Sequence, residues 1–281
     1  MNKKKQTRKM VVIGSSNVDF IMKLPRLPKV GESVTNGKFM QTYGGKGANQ
    51  AVAAARAGGD VWFINSVGDD SWGPRIKQNM VDAGIHTDFM WALKGHSSGK
   101  AVVLIGRHGR NLPTIDPGAN HAITPEMLLS VKDQLQDAAV FVLQYEMPAE
   151  TLYMALEIAK EFDIPVVFNF APPQPIDKKK IDGVDYLIVN ETEAEFLLGY
   201  PLVNHESMQK AAQELLALGA KTVMITLGHK GVYVACDSCN RIVPAFPVEA
   251  EDTTAAGDTF CGAFATALTE GKSVLDAVYF A

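Results

Sequence analysis

Near the end of the chain, the run Glu251-Asp252-Thr253-Thr254-Ala255-Ala256-Gly257-Asp258-Thr259-Phe260 brings acids, hydroxyls and small residues together. It reads as a loop entering a helix from Thr259 to Thr269. Ala256 and Gly257 stand where that helix's first turn leaves backbone N–H groups unpaired, and their small side chains let an anion come close. Asp258 stands at the same helix start. Donors for developing negative charge beside a carboxylate that can accept a hydroxyl proton are what phosphoryl transfer requires. Alone, Asp258 also fits a plain helix-stabilising acid.

Other polar residues sit where strands end. The apolar run Met10 to Ile13 gives way to Gly14-Ser15-Ser16-Asn17-Val18-Asp19. Asn17 and Asp19 have the donor and acceptor character to hold sugar hydroxyls, or they serve as turn and capping residues. Gly44-Gly45-Lys46-Gly47-Ala48-Asn49-Gln50 precedes an alanine-rich helix from Ala51 to Ala57, a phosphate or polyol site in principle and a close-packing device otherwise. It has neither the dinucleotide G-x-G-x-x-G spacing nor a Walker A pattern. Strands at Ala139–Leu143, Pro165–Asn169, Tyr186–Val189 and Thr222–Thr226 end in Gln144 to Glu146, Asn169, Asn190 to Glu193, and Thr226 to Gly228. Several such ends on one sheet edge make a ligand crevice. Asn190-Glu191-Thr192-Glu193 equally suits a helix start. The run from Thr226 to Gly231 equally suits a hairpin turn, with His229 in solvent.

These residues need a scaffold. The chain has 281 residues, 47% hydrophobic and 21% charged, which suits one α/β domain with a sizeable core. A net charge of −4 argues against a general nucleic-acid binder. The basic start (Lys3, Lys4, Lys5, Arg8, Lys9) leads into no signal-peptide core, and no run reaches membrane-spanning length. Three cysteines form no disulfide framework, and a cytoplasmic setting is expected. Cys236 and Cys239 lack a second pair for zinc, so Asp237-Ser238 reads as a hairpin turn. Helices Ala149–Phe162 and Glu206–Leu218 alternate with the strands. Polar β segments around residues 20–43 and 97–115 form a small appendage, a lid or dimer contact.

Taken together, Asn17-Val18-Asp19, the Gly44 to Ala51 run, Pro117-Gly118-Ala119-Asn120, Asn190-Glu191-Thr192-Glu193, Thr226-Leu227-Gly228 and Asp252 to Asp258 resemble the PfkB-type, ribokinase-like carbohydrate kinases from about Met10 onward. The resemblance implies a single ribokinase-like kinase domain over residues 1–281: a doubly wound, mostly parallel sheet flanked by helices, with a β lid that also makes a homodimer. It implies ATP-dependent phosphorylation of a sugar, first of all D-ribose at its 5-hydroxyl. Deoxyribose, fructose, a keto-deoxy sugar acid or a nucleoside are the alternatives within the family. By the same match Asp258 is the base, and Ala256 and Gly257 form the anion hole. Asn17, Asp19, Gly45, Lys46, Asn49 and Glu146 line the sugar site. Asn190, Thr226, Gly228, Gly231 and Gly257 meet ATP, and Glu193 organises magnesium indirectly. Asp252 and Thr254 belong to a monovalent-cation site, for potassium. Two departures stand out. Asn169-Phe170-Ala171-Pro172 replaces the family's Asn-Pro-Ala-Pro, and the sequence stops at Val278-Tyr279-Phe280-Ala281, short of the family's usual end. That short end keeps a catalytically silent sugar- or nucleotide-binding protein as a rival reading. A nicotinamide-dependent oxidoreductase rests on α/β alternation alone.

Overall fold

A computed structural model describes residues 8–107, 111–249 and 253–281. In chain order its strands are β1 (Lys9–Ile13), β2 (Asn17–Lys23), β3 (Lys38–Gly44), β4 (Asp60–Gly68), β5 (Met90–Leu93), β6 (Gly99–Ile105) and β7 (Asn111–Asp116). They continue with β8 (Val140–Gln144), β9 (Val166–Asn169), β10 (Tyr186–Asn190), β11 (Thr222–Thr226), β12 (Val232–Cys236) and β13 (Cys239–Val243). The helices are α1 (Lys46–Arg56), α2 (Gly73–Asp82), α3 (Pro125–Ser130), α4 (Ala149–Glu161), α5 (Glu191–Leu198), α6 (His205–Ala217), α7 (Ala256–Thr269) and α8 (Val274–Phe280).

Nine strands form one sheet in the order β13-β12-β11-β10-β9-β8-β1-β4-β5, parallel except for the antiparallel pairs β11–β12 and β12–β13. Its central strands are apolar on both faces, as a sheet covered on both sides must be. Side chains alternate between the faces. Val11, Ile13, Phe141, Leu143 and Phe168 enter one core with α4, α5 and α6, while Met10, Val12, Val140, Val142 and Val167 enter a second with α1, α2, α7 and α8. The sheet is therefore doubly wound. Each fully buried Val, Ile, Leu or Phe in these layers stabilises by about 1.5–3 kcal/mol.

The four-stranded second sheet, β3-β2-β6-β7, is fastened at the carboxyl end of the first. Three residues separate β1 from β2, and β3 runs through Gly45 into α1. Asn17 and Asp19 therefore lie on a strand and not in a turn, because β2 pairs along its full length with β3 and β6. The expected hairpin at Cys236–Cys239 is present, the two cysteines facing each other across Asp237-Ser238. No helix among the described residues is long and apolar enough to cross a membrane.

Candidate active site

The strand order reverses at β1, with β8 on one side and β4 on the other, and the site forms at that switch point. α1 starts at Lys46, five residues before the expected Ala51. Gly45 makes the turn at φ 90°, a region open to glycine, and a Cβ there would lie 2.8 Å from Ser16 Cα. The first-turn donors all find partners. Lys46 N donates to Glu146 Oε2 at 3.0 Å, Gly47 N to Ser15 Oγ at 3.4 Å and Ala48 N to Ser15 O at 2.8 Å. The Ser15 hydroxyl in turn donates to Glu146. The glycine-rich run is therefore no anion cradle, because protein oxygens already occupy its N–H groups.

Above it lies a buried amide network. Asn120 Nδ2 donates to Asn17 Oδ1 at 2.8 Å and Asn120 Oδ1 accepts from Ser16 N at 2.9 Å, while Asn65 Nδ2 bonds Gly14 O at 2.7 Å. A Cβ at Gly99 would fall 2.2 Å from both Asn120 Nδ2 and Asn17 Oδ1, so this position has to be bare. Asp19 lies two residues beyond Asn17, on the same face of β2. Its carboxyl is pushed up to about 6, first by burial and then by the nearby Glu146 carboxylate. Asp19 Oδ1 is buried without a hydrogen-bond partner among the described residues, and Gly44 gives the carboxylate room, since a Cβ there would sit 2.1 Å from Oδ2. A cavity of about 230 Å³ touches Ser15, Asn17, Asn120 and Glu146. A small polyol fits such acceptors and amides.

α7 starts at Ala256, three residues before the expected Thr259, with Ala255 held left-handed at φ 58° as its N-cap. Asp258 is thus inside the first turn and only 6% exposed. Burial raises its pKa, whereas Lys46, Gln50 and Asn49 pull it down and Glu146 pushes it up. Its Oδ1 accepts from Gln50 Nε2 at 3.0 Å and its Oδ2 from Asn49 Nδ2 at 3.3 Å. Gly257 N has no partner among the described residues and a Cβ there would meet open space, so this N–H is available to a ligand. Ala256 N differs, since it already donates to Thr253 O at 3.2 Å.

At the start of α7 lies a cleft of about 420 Å³ in which Thr226, Gly228 and Gly231 meet Ala256 and Gly257. Val232, Val243, Phe246 and Tyr279 give it apolar walls that suit a flat ring. Asn190 and Glu193 form a reciprocal capping box at the start of α5: Asn190 Oδ1 accepts from Glu193 N, and Glu193 Oε2 from Asn190 N, each at 2.8 Å. Glu193 is 6% exposed; burial raises its pKa, Lys46 lowers it and Asp258 raises it, so the lysine charge acts on both acids. Thr254 is exposed beside the start of α7, and Asp252 lies outside the described residues.

A profile for pfkB family carbohydrate kinases matches residues 7–281. The chain belongs to that family. Among its relatives, ribokinase of Haemophilus influenzae is 39% identical over 96% of this chain and 89% of its own length. Ribokinase of Bacillus subtilis is 39% identical over 98% of the chain and 90% of its own length. The solved structure of Arabidopsis thaliana ribokinase complexed with ribose and ATP superposes with a TM-score of 0.90 at 32% identity, over 97% of this chain and 89% of that one. The carbohydrate-kinase reading of the sequence, its doubly wound sheet and its second β sheet are thereby established. Sequence reasoning assigned no role to Ser15, Gln50, Asn65 or Asn120. Asn120 and Gln50 lay within runs already singled out, and the one usable sign was a polar amide on an alanine-rich helix face.

Proposed function

We propose that the chain transfers the γ-phosphoryl group of ATP to D-ribose at its 5-hydroxyl, giving ribose 5-phosphate and ADP. The observation that carries this reading is the Asp258 carboxylate, held by Asn49 and Gln50 in the first turn of α7, next to a Gly257 N–H that has no partner among the described residues and lines the apolar cleft. The likeness to a ribokinase solved with ribose and ATP supports both ligands. In this reading Asn17, Asp19, Gly45, Lys46, Asn49 and Glu146 hold the sugar. Asp258 takes the proton of the attacking hydroxyl as that oxygen bonds to the γ-phosphorus and the bond to the β-phosphate oxygen breaks. Gly257 N–H, with Ala256 N–H once it turns from Thr253, meets the developing charge. Lys46 balances charge near Asp258 and Glu193. Asn190, Thr226, Gly228 and Gly231 receive the nucleotide.

Among the described residues no group of three acids, histidines or cysteines could hold a metal by itself. Magnesium is therefore read as arriving with the nucleotide phosphates, with Glu193 supporting it through water. The potassium reading rests on Asp252 and Thr254 by family resemblance. The second sheet is read as a lid within one kinase domain. Its exposed Phe39, Met40, Val102, Leu112 and Ile115 support a homodimer through that sheet. A cytoplasmic setting follows from the need for ATP.

The test is ADP release by the chain with ATP, magnesium and potassium, run in parallel with ribose, deoxyribose, fructose and adenosine. Release that depends on ribose is expected. Release with another acceptor but not with ribose would reassign the substrate, and silence with all four would remove the kinase reading of this polypeptide.

A further inference from the structure

We propose that Gln50 is a positioning residue: it pins Oδ1 of Asp258, fixes the rotation of that carboxylate, and leaves Oδ2 to take the proton from the sugar hydroxyl. The inference rests on the kinase reading and adds to it a division of labour between the two oxygens.

The argument begins with how α1 and α7 pack. Gly262 lets the helices touch, since a Cβ there would lie 2.4 Å from Gln50 O, and one turn further along the Thr266 hydroxyl, with its one hydrogen, lies 2.9 Å from Gly262 O and 3.2 Å from Ala54 O across the contact. Residues four apart on each helix therefore face each other in rows, Gln50 and Ala54 against Asp258, Gly262 and Thr266. This contact carries the fully buried Gln50 side chain to the catalytic carboxylate.

The direction of the amide is dictated by a group that cannot turn round. Asn169 Nδ2 donates to the Ile188 carbonyl at 3.2 Å, which leaves Asn169 Oδ1 as an acceptor toward Gln50. Gln50 must answer with its NH2 group, giving one hydrogen to Asn169 Oδ1 at 3.1 Å and the other to Asp258 Oδ1 at 3.0 Å. Asp258 Oδ1 thus always meets a donor, whereas Oδ2 accepts the longer 3.3 Å bond from Asn49, whose amide makes no other side-chain hydrogen bond among the described residues and is free to turn, so a proton gained by the carboxylate settles on Oδ2. The fold accepts a penalty for this arrangement, because Gln50 Oε1 is buried without a partner among the described residues. An apolar side chain would avoid that penalty. Stability given up at a buried amide in contact with a reacting group indicates function.

The test uses Gln50→Met, which keeps the length of the side chain and removes the donor. Sugar-dependent ADP release by the parent chain is measured first, and its failure would end the kinase reading before Gln50 is at issue. With the parent active, kcat of Q50M is expected to fall about 10- to 100-fold, the loss of one hydrogen bond to a charged group, with the sugar KM little changed. The acid limb of kcat is expected to move to higher pH, because Asp258 loses a donor that favours its ionised form. Lys46 on α1, Glu146 after β8, Glu193 on α5 and Cys261 on α7 remain around it. Asn169→Leu acts through Gln50, so the double variant is expected to be no worse than Q50M alone. If Q50M does not fold, N169L, which leaves Gln50 in place but unoriented, carries the same two readouts. A kcat within about twofold of the parent overturns the proposal. So does a loss of kcat with an unmoved acid limb, which would make Gln50 a packing residue only.

Discussion

Asp19→Asn separates what this site costs the fold from what it gives the ligand. The Asp19 carboxyl is raised from 3.8 to about 6, burial first and Glu146 second. A raised carboxyl pKa means the native state holds its proton more tightly than the unfolded chain. Between those two values the folded protein binds more protons, so stability falls as pH rises through the window and stays reduced above it. Two pH units at about 1.4 kcal/mol each set an upper bound of roughly 3 kcal/mol at neutral pH. Asparagine keeps the shape and carries no charge to desolvate. The ligand-free D19N protein is therefore expected to unfold at higher temperature than the parent at pH 8, with the two curves converging as pH approaches 4. Sugar binding should move the other way. A carboxylate that accepts hydroxyl protons is replaced by an amide, at about 1.5–3 kcal/mol per charge-assisted bond, while nucleotide binding is unchanged. Thermal unfolding from pH 4 to pH 8 and titration calorimetry with ribose and ATP analogues report both effects. A stability difference that is flat across the pH range, or a D19N protein less stable at pH 8, would refute the assignment of that charge as a desolvated ligand contact.

Three further outcomes can be checked directly. Asp258→Asn keeps the shape of the base and removes its proton affinity, so turnover should fall by about 10²–10⁴-fold with sugar affinity retained; calorimetry beside the ADP assay decides it, and unchanged turnover would discard the base. Gly44→Ala places a methyl group 2.1 Å from Asp19 Oδ2 and should raise the KM for sugar while sparing that for ATP, read from initial rates with each substrate varied in turn. Gly231 sits at φ +103° with Val243 O 2.0 Å from a would-be Cβ, so Gly231→Ala should lower the melting temperature and weaken ATP before ribose. Equal loss of both ligands would separate Gly231 from the nucleotide cleft.

Local pattern carried the central strands, because a buried parallel strand is a run of apolar residues and Met10 to Ile13 or Thr222 to Thr226 can hardly be anything else. The four-residue β5 had too little pattern to be seen, and the start of β2 was hidden because Asn17 and Asp19 resemble turn residues. What makes Asn17 to Lys23 a strand is pairing with β3 and β6, the latter some eighty residues away in sequence. The start of α1 was displaced for the same kind of reason. Glycines before alanines read as a loop until Glu146 and Ser15 take up the first-turn N–H groups, and neither is near Lys46 in the chain. Asp258 was legible by its type and position, whereas Gln50 was not, since its meaning depends on how closely Gly262 lets two helices approach. The residues that touch substrate in the proposed reading announce themselves by chemical type. Those that aim them are defined by non-local contacts, and variants at Gln50 and Gly44 are where this distinction can be measured.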